Sequence, residues 1–192
     1  MITLIIVDYQ NDYITGTMSV KNARNSVEEI KKYIKKHLKE IEKIIFAIEW
    51  HPYNHSSFKK YGGTLPSHCV QYTPGACIEP KLLKYIQSLE IEYEVSTRNI
   101  GVLENQLGAF EDIEFGSDFL GSCYYFDSIA TAHADSDFVV CGINTKDNIK
   151  YALDNMIKGK MDVKVFMPGI VSSDGGNSFS KFIKEKGIEK TV

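Results

Sequence analysis

The sequence predicts an α/β protein: a single domain, residues 1–192, on a doubly wound, mainly parallel sheet with helices on both faces. Three observations lead there. Short, almost uninterrupted apolar runs mark strands buried on both faces. Segments of helical period separate those runs along the chain, the order expected of a wound parallel sheet. A length of 192 residues suits one well-buried core and is short for two.

Ile2–Val7 (ITLIIV) is the first strand. Ser26 followed by Glu29 has the form of a capping box and opens a helix through Ile30, Tyr33 and Ile34. Lys43–Ile48 is the second strand, and a long irregular stretch from His51 to Glu79 follows it. Pro80 suits the first turn of a helix through Leu83 and Ile86. Ile91–Val95 and Phe138–Ile143 are the third and fourth strands, with Gly142 near the end of the latter. Thr145 is placed to cap a helix through Tyr151 and Met156. Val163–Met167 is a fifth strand, and a last helix runs around Phe179–Ile188.

Composition narrows the function. A formal net charge of -3 gives no electrostatic reason to bind nucleic acid or an anionic membrane. No apolar run approaches the roughly 20 residues needed to span a bilayer. The apolar start, Met1–Ile6, lacks the basic leader and small-residue cleavage site of a signal peptide. The four cysteines show no C-x-x-C spacing, which argues against a zinc knuckle or a disulfide framework and fits a reducing cytoplasm.

Candidate chemistry lies at strand ends, where a doubly wound sheet opens its ligand crevice. Asp8 ends the first strand and Glu49 the second, while Gly142-Ile143-Asn144-Thr145 ends the fourth. Asp8 reads either as a crevice carboxylate or as a turn and capping carboxylate. His51, His55 and His68, three of the five histidines, fall within 18 residues that begin beside Glu49. Glu49 and His51 are two apart at a strand end and point to one side. Imidazoles with one carboxylate suit Zn²⁺, Fe²⁺ or Mn²⁺, with positions open for water or substrate. The alternative is a set of polar loop histidines.

Several segments together resemble the nicotinamidase branch of the isochorismatase-like cysteine hydrolases. Asp8 to Tyr13 is similar to that family's D-x-Q-N-D-F opening. Glu49 to Phe58 (EWHPYNHSSF) resembles its D-W-H-P-x-x-H-x-S-F motif. Pro66-Ser67-His68-Cys69-Val70 with Gly75-Ala76 resembles its P-x-H-C-V…G-A segment, and Val140 to Thr145 its strand and turn before the nucleophile. The resemblance implies that Glu49, His51 and His68 ligate a divalent metal, with His55 a further ligand or a supporting donor. It implies Asp8 as general acid or base, and a pocket for a small molecule lined by Tyr13, Leu65, Ile143 and Asn144. It also implies a non-proline cis peptide at Ile143–Asn144 that presents an oxyanion hole, a homo-oligomeric assembly and no nucleotide cofactor.

Four positions depart from the pattern. In G-x-x-T-x-x-C the nucleophile lies six residues after the glycine, at a helix N-terminus that would lower its pKa. Six residues after Gly142 stands Asn148, whose carboxamide has no thiolate to offer. Arg98 is the best match to the family's lysine upstream of Gly108-Ala109-Phe110; it keeps the charge with a bulkier fork. Glu49 replaces the metal aspartate, and Leu65 stands where an aromatic residue stacks on the substrate ring. Cys141, within the strand, reads as a small buried hydrophobe.

Three readings of function follow. One is a hydrolase without cysteine chemistry, using Asp8 and a metal-activated water; the isochorismatase branch resembles this fold and hydrolyses a vinyl ether without the cysteine. The second is a catalytically silent relative that serves as a metal or small-molecule binding or assembly module. The third is an amidohydrolase using a displaced cysteine such as Cys123.

Overall fold

The computed structural model describes residues 1–98, 137–144 and 148–192. Its centre is a six-stranded, all-parallel sheet of β1 (Ile2–Val7), β2 (Ile41–Glu49), β3 (Glu92–Arg98), β4 (Asp137–Asn144), β5 (Val163–Ser172) and β6 (Glu189–Thr191). The strand order is β3-β2-β1-β4-β5-β6. The chain begins in the middle, winds outward to β3, returns beside β1 as β4 and winds out the other way. The switch point therefore lies between β1 and β4, where such sheets open a crevice beyond the strand ends.

Strand alternation sorts the core into two layers. Leu4, Ile6, Ile44, Phe46, Val139 and Cys141 face one side, where they meet α2 (Ala23–Lys36) and α3 (Pro80–Gln87) through Val27, Ile30, Ile34, Leu82 and Ile86. Ile5, Val7, Ile45, Ala47, Val140 and Val165 face the other. There they meet α4 (Asn148–Lys158) and α5 (Asn177–Lys186) through Ile149, Leu153, Met156, Phe179 and Ile183. β1 is apolar on both faces except at Thr3, because both faces are covered. A single-turn helix, α1 (Asn11–Ile14), follows β1 directly.

Several boundaries differ from the sequence reading for identifiable reasons. Ser26 does not cap α2: the helix starts at Ala23, after Asn22 in the left-handed region (φ 67). Inside the first turn, Ser26 Oγ donates to Ala23 O (2.9 Å) and lies 2.6 Å from the Tyr9 hydroxyl. Pro80 does open α3, and the Glu79 carboxylate accepts from Leu82 N at 2.7 Å. β5 runs beyond Met167 because Phe166–Gly169 bulge out opposite Cys141, with pairing resuming at Gly142–Ile170. The bulge holds Pro168, which has no N–H to give a ladder. β6 has only three residues, two of them charged and exposed at the sheet edge, so no apolar run announces it. Thr145 lies outside the described residues.

Gly142 sets the switch point. It pairs with Val7, has φ +133, and a Cβ there would lie 2.1 Å from Val7 O. Neither backbone can yield without breaking the β1–β4 ladder. Gly142→Ala is expected to cost on the order of 4 kcal/mol, from steric overlap and a backbone angle closed to L side chains. Urea unfolding at equilibrium checks this, and a loss under about 1 kcal/mol would contradict so close an approach.

Candidate metal and catalytic site

The chain turns at Asp8, the residue after β1, through a left-handed backbone (φ 53). Asp8 N donates to Ala47 O at 2.7 Å and Asp8 O accepts from Gln10 N at 2.8 Å. The Asp8 side chain is thereby buried at the switch point. Asn148, at the start of α4, reaches across from the other side of the crevice. Its Nδ2 donates to Asp8 Oδ2 and, at 3.0 Å, to Ile143 O. Both amide hydrogens have acceptors, and the Asp8 oxygen facing Asn148 acts as an acceptor.

One strand over, Glu49 ends β2. Gln10, fully buried, clamps its backbone: Gln10 Oε1 accepts from Glu49 N at 2.8 Å, and Gln10 Nε2 donates to Glu49 O at 2.7 Å and Ala76 O at 2.8 Å. Glu49 Oε2 lies 3.1 Å from His51 Nε2 and 3.2 Å from His68 Nε2, and it accepts from the Tyr13 hydroxyl. His51 is fixed by a bridge to the next loop, with its N–H on Cys69 O (3.0 Å) and its carbonyl on Gln71 N (2.8 Å). His68 Nδ1 lies 2.8 Å from Pro66 O, so its proton sits on Nδ1 and Nε2 presents a lone pair.

That geometry fits a divalent cation. Ligand atoms of Glu49, His51 and His68 lie within 4.8 Å of one another, two of the residues buried. With neutral His68 in the tautomer its Pro66 contact selects, a nitrogen lone pair faces a carboxylate oxygen, an opposition that a proton or a cation between them resolves. For His68, burial opposes protonation, but the Glu49 carboxylate and the Pro66 carbonyl outweigh it and hold the pKa above the usual value. Burial, then the charge of Glu49, pushes the Tyr13 phenol far upward, so it stays a donor.

His55 stands apart from the three. Its ring centre is 4.3 Å from that of His51, its Nδ1 is 2.7 Å from Ser57 Oγ, and its buried Nε2 has no hydrogen-bond partner among the described residues. Burial, then the neighbouring His51, lowers its pKa to about 4. Between about 6.5 and 4 the unfolded chain binds this proton and the folded chain does not, so stability falls as pH falls through that window. The metal-free protein should lose on the order of 3 kcal/mol between pH 7 and 4 through His55. A His55→Gln variant, followed by urea unfolding at both pH values, should lose correspondingly less.

Asp12 supports the second loop. Its buried carboxylate accepts from Cys69 N at 2.7 Å and Thr17 N at 3.3 Å, and it packs so closely on Gly16 and Gly75 that a Cβ at either would overlap it. Asp12→Ala leaves the Cys69 N–H buried without this acceptor, a loss of about 2 kcal/mol. Thermal unfolding should fall by roughly 4–8 °C. Neither Gln10 nor Asp12 was singled out from the sequence, although both lie in the D-Y-Q-N-D-Y segment that was.

Leu65 is half-buried and pairs through its backbone with Ser57 (2.9 Å) and Lys59 (2.7 Å). Ile143 is buried in β4, and the Asn144 backbone ends that strand opposite Ser172. The Arg98 backbone ends β3 opposite Glu49. No cis peptide bond occurs among the described residues, so the one expected at Ile143–Asn144 is corrected to trans: the β4–β5 ladder continues through both residues. Cys141 is fully buried in the layer below α2, and burial drives its thiol pKa far upward. Cys123 and the Gly108–Phe110 segment lie outside the described residues.

No protein-family model matches the chain. A curated relative, nicotinamidase of Escherichia coli K12, is 30% identical over 95 residues, 41% of this chain and 45% of that protein. The matched segment thus spans less than half of either chain. Among solved structures, the yeast nicotinamidase bound to the inhibitor nicotinaldehyde superposes with a TM-score of 0.74 at 18% identity, covering 100% of this chain and 99% of that one. The fold is that of the nicotinamidases. Pyrazinamidase of Pyrococcus horikoshii in complex with zinc gives a TM-score of 0.68 at 23% identity, over 99% and 98% of the two chains. N-carbamoylsarcosine amidase of Thermoplasma acidophilum superposes on this chain with a TM-score of 0.65 at 13% identity, over 99% and 95% of the two chains. No helix among the described residues is long and apolar enough to cross a membrane.

Proposed function

We propose that this chain is a metal-dependent hydrolase of a small molecule, related to nicotinamidase and acting without a cysteine nucleophile. The observation that supports it best is the pairing of Asn148 with Asp8 at the switch point, one strand from the Glu49–His51–His68 cluster. A carboxamide cannot attack a carbonyl, but it can orient a buried carboxylate. Asp8 then serves as the acid–base residue, taking a proton from water at its carboxylate and delivering it to the leaving group. Glu49, His51 and His68 would hold zinc, iron or manganese, which supplies Lewis acidity toward water or an electronegative substrate atom. The zinc-bound pyrazinamidase of the same fold favours zinc. Arg98 would balance charge on the substrate, and Leu65, Ile143 and Asn144 would line its pocket. A cytoplasmic location and homo-oligomeric assembly belong to the same proposal.

A second reading, a silent binding module, is favoured by the same contact taken the other way: Asn148 occupies one oxygen of the Asp8 carboxylate. Metal-restored and metal-stripped protein, assayed on a panel of small amides, esters and a vinyl ether, separates the two. The hydrolase reading expects turnover that requires metal and survives iodoacetamide. Metal binding with no turnover on any of these bond types would favour the binding module. Nicotinamide itself should release ammonia well below about 1 per second, the low end of ordinary turnover.

A further inference from the structure

Glu49 is held at its backbone by Gln10 and at its carboxylate by Tyr13. We infer that Tyr13 is a positioning residue of the cation site, matched to the length of the Glu49 side chain, and that its hydroxyl decides which part of the carboxylate is left to the metal. The inference rests on the cation-site reading above.

Tyr13 is 1% exposed, and α1, which carries it, starts directly after Gln10. Its ring meets that of His68 edge-on, with centres 6.0 Å apart, so it touches two of the three candidate ligands. Its single O–H proton goes to Glu49 Oε2, the same oxygen that lies 3.1 and 3.2 Å from the two imidazole nitrogens. A carboxylate oxygen offers two lone pairs. With one taken by the phenol, the other is directed toward the imidazoles, and Glu49 is set to bind through that one oxygen. An O–H donated to a charged oxygen is among the stronger hydrogen bonds, and in a buried place it fixes the rotamer of the longer acid. Shortening Glu49 by one methylene would draw the carboxylate away and leave the phenol hydroxyl buried without its acceptor.

The matched pair has a consequence that packing alone does not. Cobalt(II) affinity should be measured by competition with a chromophoric chelator for the unmodified chain, Tyr13→Phe, Glu49→Asp and the double variant, with folding checked by circular dichroism. Loss of a hydrogen bond supporting a ligand typically weakens metal binding 10–100-fold, and Tyr13→Phe should fall in that range. Glu49→Asp should weaken binding at least as much. The double variant should bind no more weakly than Glu49→Asp alone, because removing the hydroxyl removes the stranded donor. The visible spectrum of bound cobalt should also change in Tyr13→Phe, an effect a purely structural residue would not produce. If the two losses multiply and the Tyr13→Phe spectrum is unchanged, the pairing is wrong while the cation site stands. If the unmodified chain binds no cobalt, the cation-site reading falls and this inference falls with it.

Discussion

Replacing Asn148 with cysteine is expected to give a thiol that reacts with iodoacetamide at pH 7 at least tenfold faster than a cysteine on the open surface. Asn148 begins α4, so a thiolate there would face the helix N-terminus. Glu49 ends β2, two strands over from β4, and a cation held by Glu49, His51 and His68 would add to the helix N-terminus in favouring the thiolate. A free thiol with a pKa of about 8.5 is only a few per cent ionised at pH 7, so a fall of two units raises the reactive fraction more than tenfold. Opposing this, the thiol would stand next to the Asp8 carboxylate, with which Asn148 pairs. The rate therefore measures which charge dominates at this position. A slow, buried thiol would show that Asp8 wins, and fast labelling of native Cys123 would show that the nucleophile was displaced and not lost.

Asp8→Asn should lower hydrolysis by about 10²–10⁴-fold, the usual contribution of one acid–base residue. Carboxylate and carboxamide have nearly the same shape, so the backbone contacts of residue 8 with Ala47 and Gln10 should persist. Metal content should stay the same, because Asp8 is not among the clustered ligands. A comparable loss of metal and activity together would mean that Asp8 shapes the cation site and does not move the proton.

The fold was legible where burial is two-sided. β1 and β4 pack against helices on both faces, so their sequences are mainly apolar and their ends could be read closely. The edge strand β6, at Glu189–Thr191, carries no such signal because little of it is buried. The bulge in β5 was missed because Pro168 reads locally as an end, while the strand resumes at Ile170 only through pairing with Gly142. Ser26 had the form of a cap, and its tertiary partner Tyr9 could not be seen from local spacing.

The site shows the same division. Spacing showed a histidine cluster beside Glu49, the family resemblance singled out Glu49, His51 and His68 from it, and the structure brings their ligand atoms within 4.8 Å. The family's spacing, counted from Gly142, picked out Asn148, which the structure sets against Asp8, 140 residues away in sequence. What remained hidden was the support beneath them. Gln10 acts on the backbone of Glu49 and Ala76, and Asp12 on that of Cys69, partners that no side-chain pattern reveals. Tyr13 was read as a pocket residue, and the bond from its hydroxyl to Glu49 could not be foreseen from local spacing.

Metal content tests the central claim most directly. Protein purified without added metal, and again after reconstitution, should be analysed beside a His68→Ala variant. Close to one equivalent of a transition metal per chain is expected after reconstitution, with a large loss in the variant, since metal binding depends on the full ligand set. Less than about a tenth of an equivalent of any transition metal, before and after reconstitution, would contradict it.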